Sequence, residues 1–385
     1  MKTIVDTGNY IAARAALMAK PKVVAAYPIT PQTTIVEGIA KYVENGMLDA
    51  EYICVESEHS AMSACIGAAA TGVRTFTATS AHGLLLMHEM LHWAALARLP
   101  IVMCNVNRAI GPGWNIWCDE NDSIAQRDTG WLQFYCSSNQ EVFDTVIQAY
   151  KIAENEKVLL PAMVNLGGFI LSHTSLPVKV PEQKEIDEFL PPYKPKWRLD
   201  VNNPITHGNI IFPDDYYRIR YDMQLAQNNS KKIIKEVAKE WKEKFGTYHG
   251  DLVEVYKCDN ADLVILAMGA IGAEAKVAVD KMQREGLKVG LLRIRVLRPF
   301  PDEEIIRIAK QCNKLLVIDR NISVGNEGAL ASETRACLKD RVEDANVHGF
   351  IAGLGGKDVT YNDIEKMCKM VINKKAGRIE WYGLG

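Results

Sequence analysis

The chain has 385 residues, a formal net charge of −2, and 48% hydrophobic and 24% charged residues. These values are typical of globular domains, and the length suffices for two or three of them. The near-neutral charge without basic runs argues against nucleic-acid or membrane-surface binding, and no apolar run is long enough to span a bilayer. The first residues do not resemble a secretory leader, so we expect a cytoplasmic protein.

The chain up to about residue 175 alternates short apolar runs with helical patterns. Strands are predicted at 23–26, 52–55, 75–78, 101–105 and 162–165, and helices at 9–19, 33–45, 59–71, 84–97 and 140–154. This alternation is typical of a parallel sheet that is covered by helices. It predicts an α/β domain with a ligand-binding edge at the carboxyl ends of its strands.

The composition changes after residue 175. Seven prolines between 176 and 217 predict an extended arm, since proline breaks helices. A charged helical linker is predicted at 221–250 and a second α/β domain at 251–375, with a tail at 376–385. In the second domain, strands are predicted at 262–268, 289–294 and 314–319, and helices at 272–285 and 301–311.

The segment Val24-Ala-Ala-Tyr-Pro-Ile-Thr-Pro-Gln-Thr-Thr34 joins the first of these predicted strands to a helix. Thr30 and Pro31 predict a helix start, because proline is favoured at the first helical position and threonine can cap free N–H groups. Such a start attracts anions. The segment therefore predicts an anion site, and the alternative is a strand–helix corner that binds nothing.

Two carboxylates, Glu56 and Glu58, follow the second predicted strand and lead into a helix of small residues. The small residues would let another surface approach this helix closely. Paired carboxylates suit acid–base chemistry. Acids also favour a helix N-terminus for structural reasons alone, and this segment by itself favours that structural explanation.

Hydroxyl and imidazole groups follow the third predicted strand. Ser80 and His82 lie at this strand–helix junction, and His88 and His92 follow within the helix. Only His88 and His92 would share a helical face, and no glutamate completes a zinc-protease motif. The spacing therefore favours histidines that bind no metal.

Arg108 follows the fourth predicted strand, and a turn from Gly111 to Trp114 comes after it. A guanidinium suits a carboxylate through two parallel hydrogen bonds. The alternative is an ion pair between Arg108 and a neighbouring acid, such as Asp119 or Asp122. The convergence of Thr30, Glu58 and Arg108 on one sheet edge favours a functional role.

Two further kinds of site receive less support. The nine cysteines form no C-x-x-C pair and no zinc spacing with histidine, so we predict reduced core thiols and no metal or iron–sulfur cluster on this chain. The run Met268-Gly-Ala-Ile-Gly-Ala-Glu-Ala lacks the third glycine of a dinucleotide fingerprint. A tight turn is favoured there over an NAD site.

Several motifs together resemble one family. They are Tyr27-Pro-Ile-Thr-Pro31, Glu56-Ser-Glu-His-Ser-Ala61, Thr79-Ser-Ala-His-Gly-Leu-Leu-Leu-Met-His-Glu89, Arg98-Leu-Pro-Ile-Val102, Asn107-Arg-Ala109, Asp122-Ser-Ile-Ala-Gln-Arg-Asp-Thr-Gly-Trp131 and Leu160-Pro-Ala-Met-Val-Asn-Leu-Gly-Gly-Phe-Ile170. Over nearly the full length, the chain resembles the α subunit of 2-oxoacid:ferredoxin oxidoreductases of the pyruvate:ferredoxin oxidoreductase, or pyruvate synthase, type. The resemblance implies an α/β fold: a thiamine-diphosphate-binding, pyrimidine-domain parallel sheet at 1–220, including the arm at 176–217, then a smaller transketolase C-terminal-like domain at 251–375.

The resemblance also implies roles for individual residues. Glu58 would hydrogen-bond N1′ of the cofactor aminopyrimidine and favour its imino tautomer, while Thr30 and Arg108 would bind the substrate carboxylate. These three are the expected catalytic residues. The implied cofactor-binding residues are Glu58, Ile29, Ser80 and His82, and the implied substrate-binding residues are Thr30, Arg108, Gly111 and Trp114.

The implied reaction is the CoA-dependent oxidative decarboxylation of a 2-oxoacid to an acyl-CoA, carbon dioxide and reduced ferredoxin, as found in anaerobic metabolism. The resemblance implies that thiamine diphosphate is shared with a β subunit, which carries the diphosphate and Mg²⁺ site. It also implies γ and δ subunits, with the [4Fe-4S] clusters on partner subunits. We therefore expect an obligate hetero-oligomer.

Two departures from the family pattern leave the substrate open. His82 stands where glutamine is usual, and Gly111-Pro-Gly-Trp114 stands where small residues and an aliphatic one are common. Pyruvate is the first expectation; phenylglyoxylate and branched-chain 2-oxoacids follow it, and oxalate is the least favoured. Three different functions also stay open: a thiamine-dependent transferase or decarboxylase without ferredoxin, a non-catalytic scaffold subunit and a nicotinamide dehydrogenase.

Overall fold

The structure, a computed structural model, describes residues 1–384, which form three sheets with helices packed against them. The strands are β1 (Lys2–Thr7), β2 (Val23–Ala26), β3 (Glu51–Cys54), β4 (Thr75–Thr79), β5 (Val102–Asn107), β6 (Leu132–Tyr135), β7 (Ala162–Gly167), β8 (Ser175–Val180), β9 (Val253–Tyr256), β10 (Leu263–Met268), β11 (Val289–Ile294), β12 (Val296–Arg298), β13 (Lys314–Asp319), β14 (Asn346–Ile351) and β15 (Ile379–Trp381). The helices are α1 (Gly8–Ala19), α2 (Thr33–Glu44), α3 (Glu58–Ala70), α4 (Ala81–Leu86), α5 (His88–Leu96), α6 (Asn121–Ile124), α7 (Asn139–Ala153), α8 (Gln183–Phe189), α9 (Pro213–Phe245), α10 (Gly269–Arg284), α11 (Asp302–Gln311), α12 (Ala329–Leu338) and α13 (Tyr361–Ile372).

The first large sheet has seven strands in the order β12-β6-β7-β5-β4-β2-β3, and all neighbours pair in parallel except β12 with β6. Strands β4, β5 and β6 are buried along their whole length. Strands β2, β3, β4 and β5 pair in parallel with their neighbours, so they end on the same side of the sheet. The carboxyl ends of β2, β3, β4 and β5 therefore meet at one edge.

The second large sheet has six strands in the order β15-β14-β13-β10-β11-β9, with β9 antiparallel to β11 and the other pairs parallel. Strand β12 lies in the predicted second domain but pairs with β6 of the first sheet. The tail predicted at 376–385 contains β15, which extends the second sheet beside β14. Strands β12 and β15 have three residues each, too few for a periodic sequence signal.

The segment 176–217, predicted as an extended arm, is partly regular. Strand β8 pairs antiparallel with β1, which places Pro177 opposite Val5 in a two-stranded sheet where a missing N–H is tolerated. Helix α8 follows, and Pro213 is the first residue of α9. Proline is favoured at that position, so reading Pro213 as a helix breaker was wrong.

The predicted helix at 84–97 is two helices, α4 and α5, which meet at Met87. Helix α9, with 33 residues, contains the helix predicted within the linker and ends before Gly246, whose φ of +75° suits glycine. Among residues 1–384, none of the helices combines the length and the apolar character that a membrane crossing requires.

Two buried arginines link the first domain to the second. Arg293 and Arg295 are 1% exposed, and both donate to the Glu141 carboxylate on α7, at 3.0 and 3.1 Å. Arg293 also donates to Glu254 on β9 at 2.7 Å. Burial alone would raise the pKa of Glu141, but the nearby positive charges, led by Arg293, lower it to about 2. The carboxylate therefore stays charged and holds both arginines.

We predict that Glu141→Gln strongly destabilises the protein, because both arginines would stay buried without their carboxylate. Breaking a buried pair in this way costs about 3–5 kcal/mol. The folded-state pKa of Glu141 is about 2, below its ordinary value of 4.5. Its stabilising contribution is therefore complete above pH 4.5 and is lost as the pH falls towards 2.

The measurement is the thermal midpoint of the purified protein as a function of pH. The midpoint of the variant should lie well below that of the unchanged protein at about pH 7, and the gap should narrow below pH 4.5, the ordinary pKa of the group. Glu243→Gln, at an exposed position on α9, is the control and should leave the midpoint nearly unchanged. Equal midpoints for both variants at neutral pH would contradict the prediction.

Candidate functional site

The segment after β2 turns before it enters α2. Helix α2 begins at Thr33 rather than Pro31, and Thr30 is exposed and caps nothing, so the predicted cap is wrong. The reason is Gln32, whose amide donates to the Ala78 carbonyl at 2.6 Å and accepts the N–H of Ile29 at 3.4 Å. These bonds anchor the turn to β4, and the helix starts only after it.

Glu58 is the first residue of α3, just past the carboxyl end of β3. Ser57 caps this helix, because its hydroxyl accepts the N–H of Ser60 at 3.2 Å. The Glu58 side chain is 5% exposed, and burial raises its pKa above the usual range. No bond from its carboxylate to another residue is found among residues 1–384. Glu56 is exposed and bonded to the Ser60 hydroxyl, so the two predicted carboxylates have different environments.

Gly83 on α4 lies directly against Glu58. A Cβ at this position would lie closer than 3.0 Å to both the Glu58 carboxylate and the Thr79 hydroxyl. That hydroxyl is buried and has no hydrogen-bond partner in the described part of the chain. The lack of a side chain at residue 83 thus lets a buried acid and a buried hydroxyl lie close to the backbone of α4.

Arg108 lies past the carboxyl end of β5 and is 3% exposed. Its Nη1 donates to the Thr30 carbonyl at 2.8 Å and its Nε to the Asn115 carbonyl at 3.2 Å. Its Nη2 is buried and has no partner within residues 1–384. The guanidinium lies 5.3 Å from the ring centre of Trp114, and burial lowers its pKa. The structure thus brings Thr30 and Arg108 together through a backbone carbonyl.

The ion pair considered for Arg108 does not form. Among the described residues, neither Asp119 nor Asp122 bonds to the guanidinium. Asp122 instead accepts the backbone N–H of Arg108 at 3.1 Å, and Asp119 accepts that of Asn121 at 3.0 Å. The charged end of Arg108 therefore keeps one nitrogen free for a ligand.

His82 and the turn after Arg108 are in direct contact. The Nε2 atom of His82 accepts the N–H of Gly111 at 2.8 Å, which assigns the ring proton to Nδ1. Trp114 is 86% exposed, and its ring lies edge-on to His82 at 6.1 Å. Ser80 is buried, and its hydroxyl donates to the Val106 carbonyl at 2.7 Å, so it anchors α4 to β5.

Asp122 is the most connected residue at this edge, although its place in the sequence suggested only a partner for a guanidinium. Its buried carboxylate accepts the backbone N–H of Ala81 (3.1 Å) and of Arg108 (3.1 Å), the side-chain amides of Asn105 (3.3 Å) and Asn107 (2.8 Å), and the N–H of the following residue (2.7 Å). Burial raises its pKa to about 6. The signal available in the sequence was the Asp122–Trp131 motif.

The remaining candidate side chains have ordinary contacts. His88 and His92 stack edge to face at 5.0 Å, and His88 bonds to Gln126. No group of three or more metal-ligating side chains occurs within residues 1–384. All nine cysteines are free thiols; seven are buried, and Cys54 is exposed.

A surface groove of about 840 Å³ lies at the edge of the second sheet where its parallel strands begin. Its lining includes Lys288, which precedes β11, and Lys314, the first residue of β13, and none of the predicted site residues. We regard the edge that carries Glu58 and Arg108 as the candidate site, because its buried polar groups lack partners.

Comparison with known proteins agrees with this geometry. Residues 14–239 match the family model described as "Pyruvate flavodoxin/ferredoxin oxidoreductase, thiamine diP-bdg", and residues 261–364 match "Pyruvate:ferredoxin oxidoreductase core domain II". The chain is similar to the ketoisovalerate oxidoreductase subunit VorA of Pyrococcus horikoshii (51% identical, covering 99% of this chain and 98% of the relative). It is similarly related to the pyruvate synthase subunit PorA of Methanocaldococcus jannaschii (52% identical, covering 99% and 97%).

Solved structures show the same fold. A 2-oxoglutarate:ferredoxin oxidoreductase from Magnetococcus marinus superposes with a TM-score of 0.74 at 18% identity over 96% of this chain, which spans 65% of that longer chain. A split-gene transketolase superposes with a TM-score of 0.56 at 14% identity over 96% of this chain and 99% of its own. The predicted thiamine-diphosphate-binding α/β fold is confirmed.

The fold and the polar sheet edge together define a subunit of a thiamine-diphosphate-dependent oxidoreductase. More specifically, the chain belongs to the α subunits of the 2-oxoacid:ferredoxin oxidoreductases, the family of pyruvate synthase and ketoisovalerate oxidoreductase. The predicted family resemblance is therefore confirmed.

The residues at the sheet edge fit a thiamine aminopyrimidine. The buried Glu58 carboxylate bonds to no other described residue and can accept an N–H from the ring, and the missing side chain at Gly83 lets this carboxylate lie against α4. The buried Thr79 hydroxyl adds a polar group that has no partner within the described chain. Leaving the Thr79 hydroxyl unpaired costs about 1–3 kcal/mol, and a polar ligand would remove that cost.

We predict that Gly83→Ala abolishes most activity, because its Cβ would displace the Glu58 carboxylate. A misplacement of about 1 Å in a catalytic group can cost about a hundredfold in rate. Turnover of the assembled complex should fall by roughly that factor, and its affinity for thiamine diphosphate should fall too. Gly67→Ala on α3, where a Cβ meets nothing within 4 Å, is the matched control. Equal activity for the two variants would contradict this assignment of the site.

Proposed function

We propose that the complex containing this α subunit converts a 2-oxoacid, preferably pyruvate, with CoA and oxidised ferredoxin into an acyl-CoA, carbon dioxide and reduced ferredoxin, and can run in reverse. One observation supports this most: the buried acid Glu58, which bonds to no other residue within 1–384, and the buried Arg108, whose Nη2 has no partner in the same range, occupy the same sheet edge. An acid for the cofactor and a cation for a carboxylate are what the reaction requires.

In this proposal, Glu58 forms a hydrogen bond with N1′ of the pyrimidine ring and holds the proton that the two groups share. Bound thiamine diphosphate supplies the electron sink for the loss of carbon dioxide. Burial raises the pKa of Glu58, which brings the acid nearer to neutral pH, where proton transfer in both directions is efficient. The adjacent Gly83 keeps the carboxylate within reach.

Arg108 would bind the 2-oxoacid carboxylate through its free Nη2. Its other two nitrogens already donate to backbone carbonyls, so the guanidinium is oriented before the substrate arrives. The exposed Thr30 hydroxyl is available as a second donor. Orientation rather than tight binding is the useful role here, because holding the carboxylate too strongly would stabilise the ground state.

The turn after Arg108 favours a 2-oxoacid substrate with a small acyl group. His82 holds Gly111 at 2.8 Å, and Trp114 covers the guanidinium, so the wall of the site lies close to the carboxylate-binding group. A branched-chain 2-oxoacid is the second candidate. The exposure of Trp114, 86%, favours this second candidate, because the ring has room to move outward. The sequence identities do not separate the two substrates, since the chain is 51% identical to a ketoisovalerate oxidoreductase subunit and 52% identical to a pyruvate synthase subunit.

The remaining chemistry would lie on partner subunits. A β subunit would supply the diphosphate and Mg²⁺ site, and γ and δ subunits would complete a cytoplasmic complex whose [4Fe-4S] clusters pass electrons to ferredoxin. The relatives are themselves named as subunits.

The test is CoA-dependent viologen reduction by the complex purified anaerobically with this chain. The substrates are pyruvate, 2-oxoisovalerate, 2-oxoglutarate, phenylglyoxylate and oxalate. We expect the highest kcat/KM with pyruvate. A higher value with 2-oxoisovalerate would favour the second candidate, and no reduction with any of the five, from a complex that contains cofactor and clusters, would refute the proposed function.

Two variants of this complex form the control. Glu58→Gln removes the charge that the cofactor requires and should lower kcat by about a hundredfold or more. Glu56→Gln changes the neighbouring acid, which is exposed, and should leave kcat close to that of the unchanged complex. Unchanged kcat in Glu58→Gln would favour a scaffold role for this subunit.

A further inference from the structure

A glycine-rich loop of the second domain reaches the substrate site. It lies between β14 and α13 and contains Gly353, Gly355 and Gly356, with φ values of +79°, +60° and +83°. The Gly355 carbonyl accepts the side-chain amide of Asn115 at 2.9 Å, and the N–H of Gly356 donates to the Cys118 carbonyl at 2.8 Å. The second domain therefore holds both ends of the segment 115–118, which follows the turn after Arg108.

Glycine is required in this loop by space as well as by conformation. A Cβ at Gly355 would lie 2.6 Å from the Asn115 Nδ2, and one at Gly356 would lie closer than 3.0 Å to the Cβ of Trp117. Positive φ values disfavour other residues. The close approach indicates that the loop is shaped to receive residues 115–117.

Asn115 connects this loop to the arginine. Its carbonyl accepts Nε of Arg108 at 3.2 Å, while its side-chain oxygen accepts the N–H of Trp117 at 2.9 Å. The amide nitrogen of the same side chain donates to Gly355. A continuous series of hydrogen bonds thus runs from the second domain through Asn115 to the guanidinium.

We propose that Asn115 and Gly355 are positioning residues that aim the free Nη2 of Arg108 at the 2-oxoacid carboxylate. The guanidinium is held from two sides, by the Thr30 carbonyl after β2 and by the Asn115 carbonyl that the second domain fixes. Only the third nitrogen is left unpaired within residues 1–384. The binding of a 2-oxoacid carboxylate by Arg108 rests on the proposed function. The hydrogen bonds of Arg108 and Asn115 do not depend on it.

A change in this loop should affect the KM for the 2-oxoacid selectively. If the loop shifts, Arg108 keeps its charge but loses its direction, so binding of the 2-oxoacid weakens. CoA does not contact the guanidinium in this proposal, so its KM should stay the same. A variant that only lowers the folded fraction would reduce kcat and leave both KM values unchanged, which separates positioning from general stability.

The experiment compares Gly355→Ala with Gly286→Ala in the assembled complex. Both glycines have positive φ values, +60° and +85°, but a Cβ at Gly286 meets nothing within 4 Å. Both variants therefore carry similar backbone strain, and only Gly355→Ala pushes on Asn115. We expect the KM for the 2-oxoacid to rise roughly tenfold or more in Gly355→Ala, equivalent to about 1.4 kcal/mol, with the KM for CoA unchanged, and neither KM to change in Gly286→Ala.

Asn115→Ala provides a second route that introduces no clash. It removes the side-chain bond to Gly355, so it should raise the KM for the 2-oxoacid in the same direction and can be measured if Gly355→Ala does not assemble. Unchanged KM for the 2-oxoacid in Asn115→Ala, or equal KM changes in the two glycine variants, would overturn the positioning role. Failure of the unmodified complex to turn over any 2-oxoacid would instead refute the proposed function.

Discussion

The candidate site depends on one buried carboxylate, that of Asp122. It accepts five N–H groups, two of which belong to the backbone of Ala81 and Arg108. A buried charge is tolerated only where it is fully hydrogen-bonded, so these donors are held in place. Ala81 is thereby kept at φ +46°, a conformation that costs about 1–3 kcal/mol. The same carboxylate fixes where the chain leaves β4 towards His82 and where it leaves β5 at Arg108.

Around Asp122, the edge of the sheet presents the Glu58 carboxylate, which bonds to no other described residue, and two buried groups without a partner among residues 1–384, the Thr79 hydroxyl and Nη2 of Arg108. Buried polar groups normally find partners. Their presence together at the carboxyl ends of neighbouring strands agrees with a ligand-binding edge of an open α/β sheet. It also agrees with a subunit whose relatives work in multisubunit oxidoreductases. The second domain also contributes to this edge, since its glycine loop supports the segment after Arg108.

Local sequence patterns were sufficient for β2, β3, β4 and β5 of the first sheet, and the parallel pairing of these strands places Glu58 and Arg108 after carboxyl ends on the same edge. These patterns failed where contacts between residues distant in the sequence determine the local structure. Thr30 does not cap α2, because the Gln32 side chain bonds to β4. Seven strands of the described chain were not predicted: β1, β6, β8, β9, β12, β14 and β15. Five of them, all except β6 and β14, lie at a sheet edge, where a strand is defined by its partner rather than by an alternating pattern of its own. The sequence could not show that the Asp122 carboxylate positions the chain around the site, because most of its hydrogen-bond donors belong to elements distant in the sequence.

The most direct test of this account compares Asp122→Asn with Asp319→Asn in the assembled complex. Asp319 is a matched control: its carboxylate is also buried, has a pKa raised by burial to about 6 and accepts backbone N–H groups, but it lies in the second domain and caps α12. The account predicts that kcat/KM for the 2-oxoacid falls roughly tenfold or more in Asp122→Asn, and far less in Asp319→Asn at a similar loss of thermal stability. Equal values of kcat/KM in the two variants would contradict it.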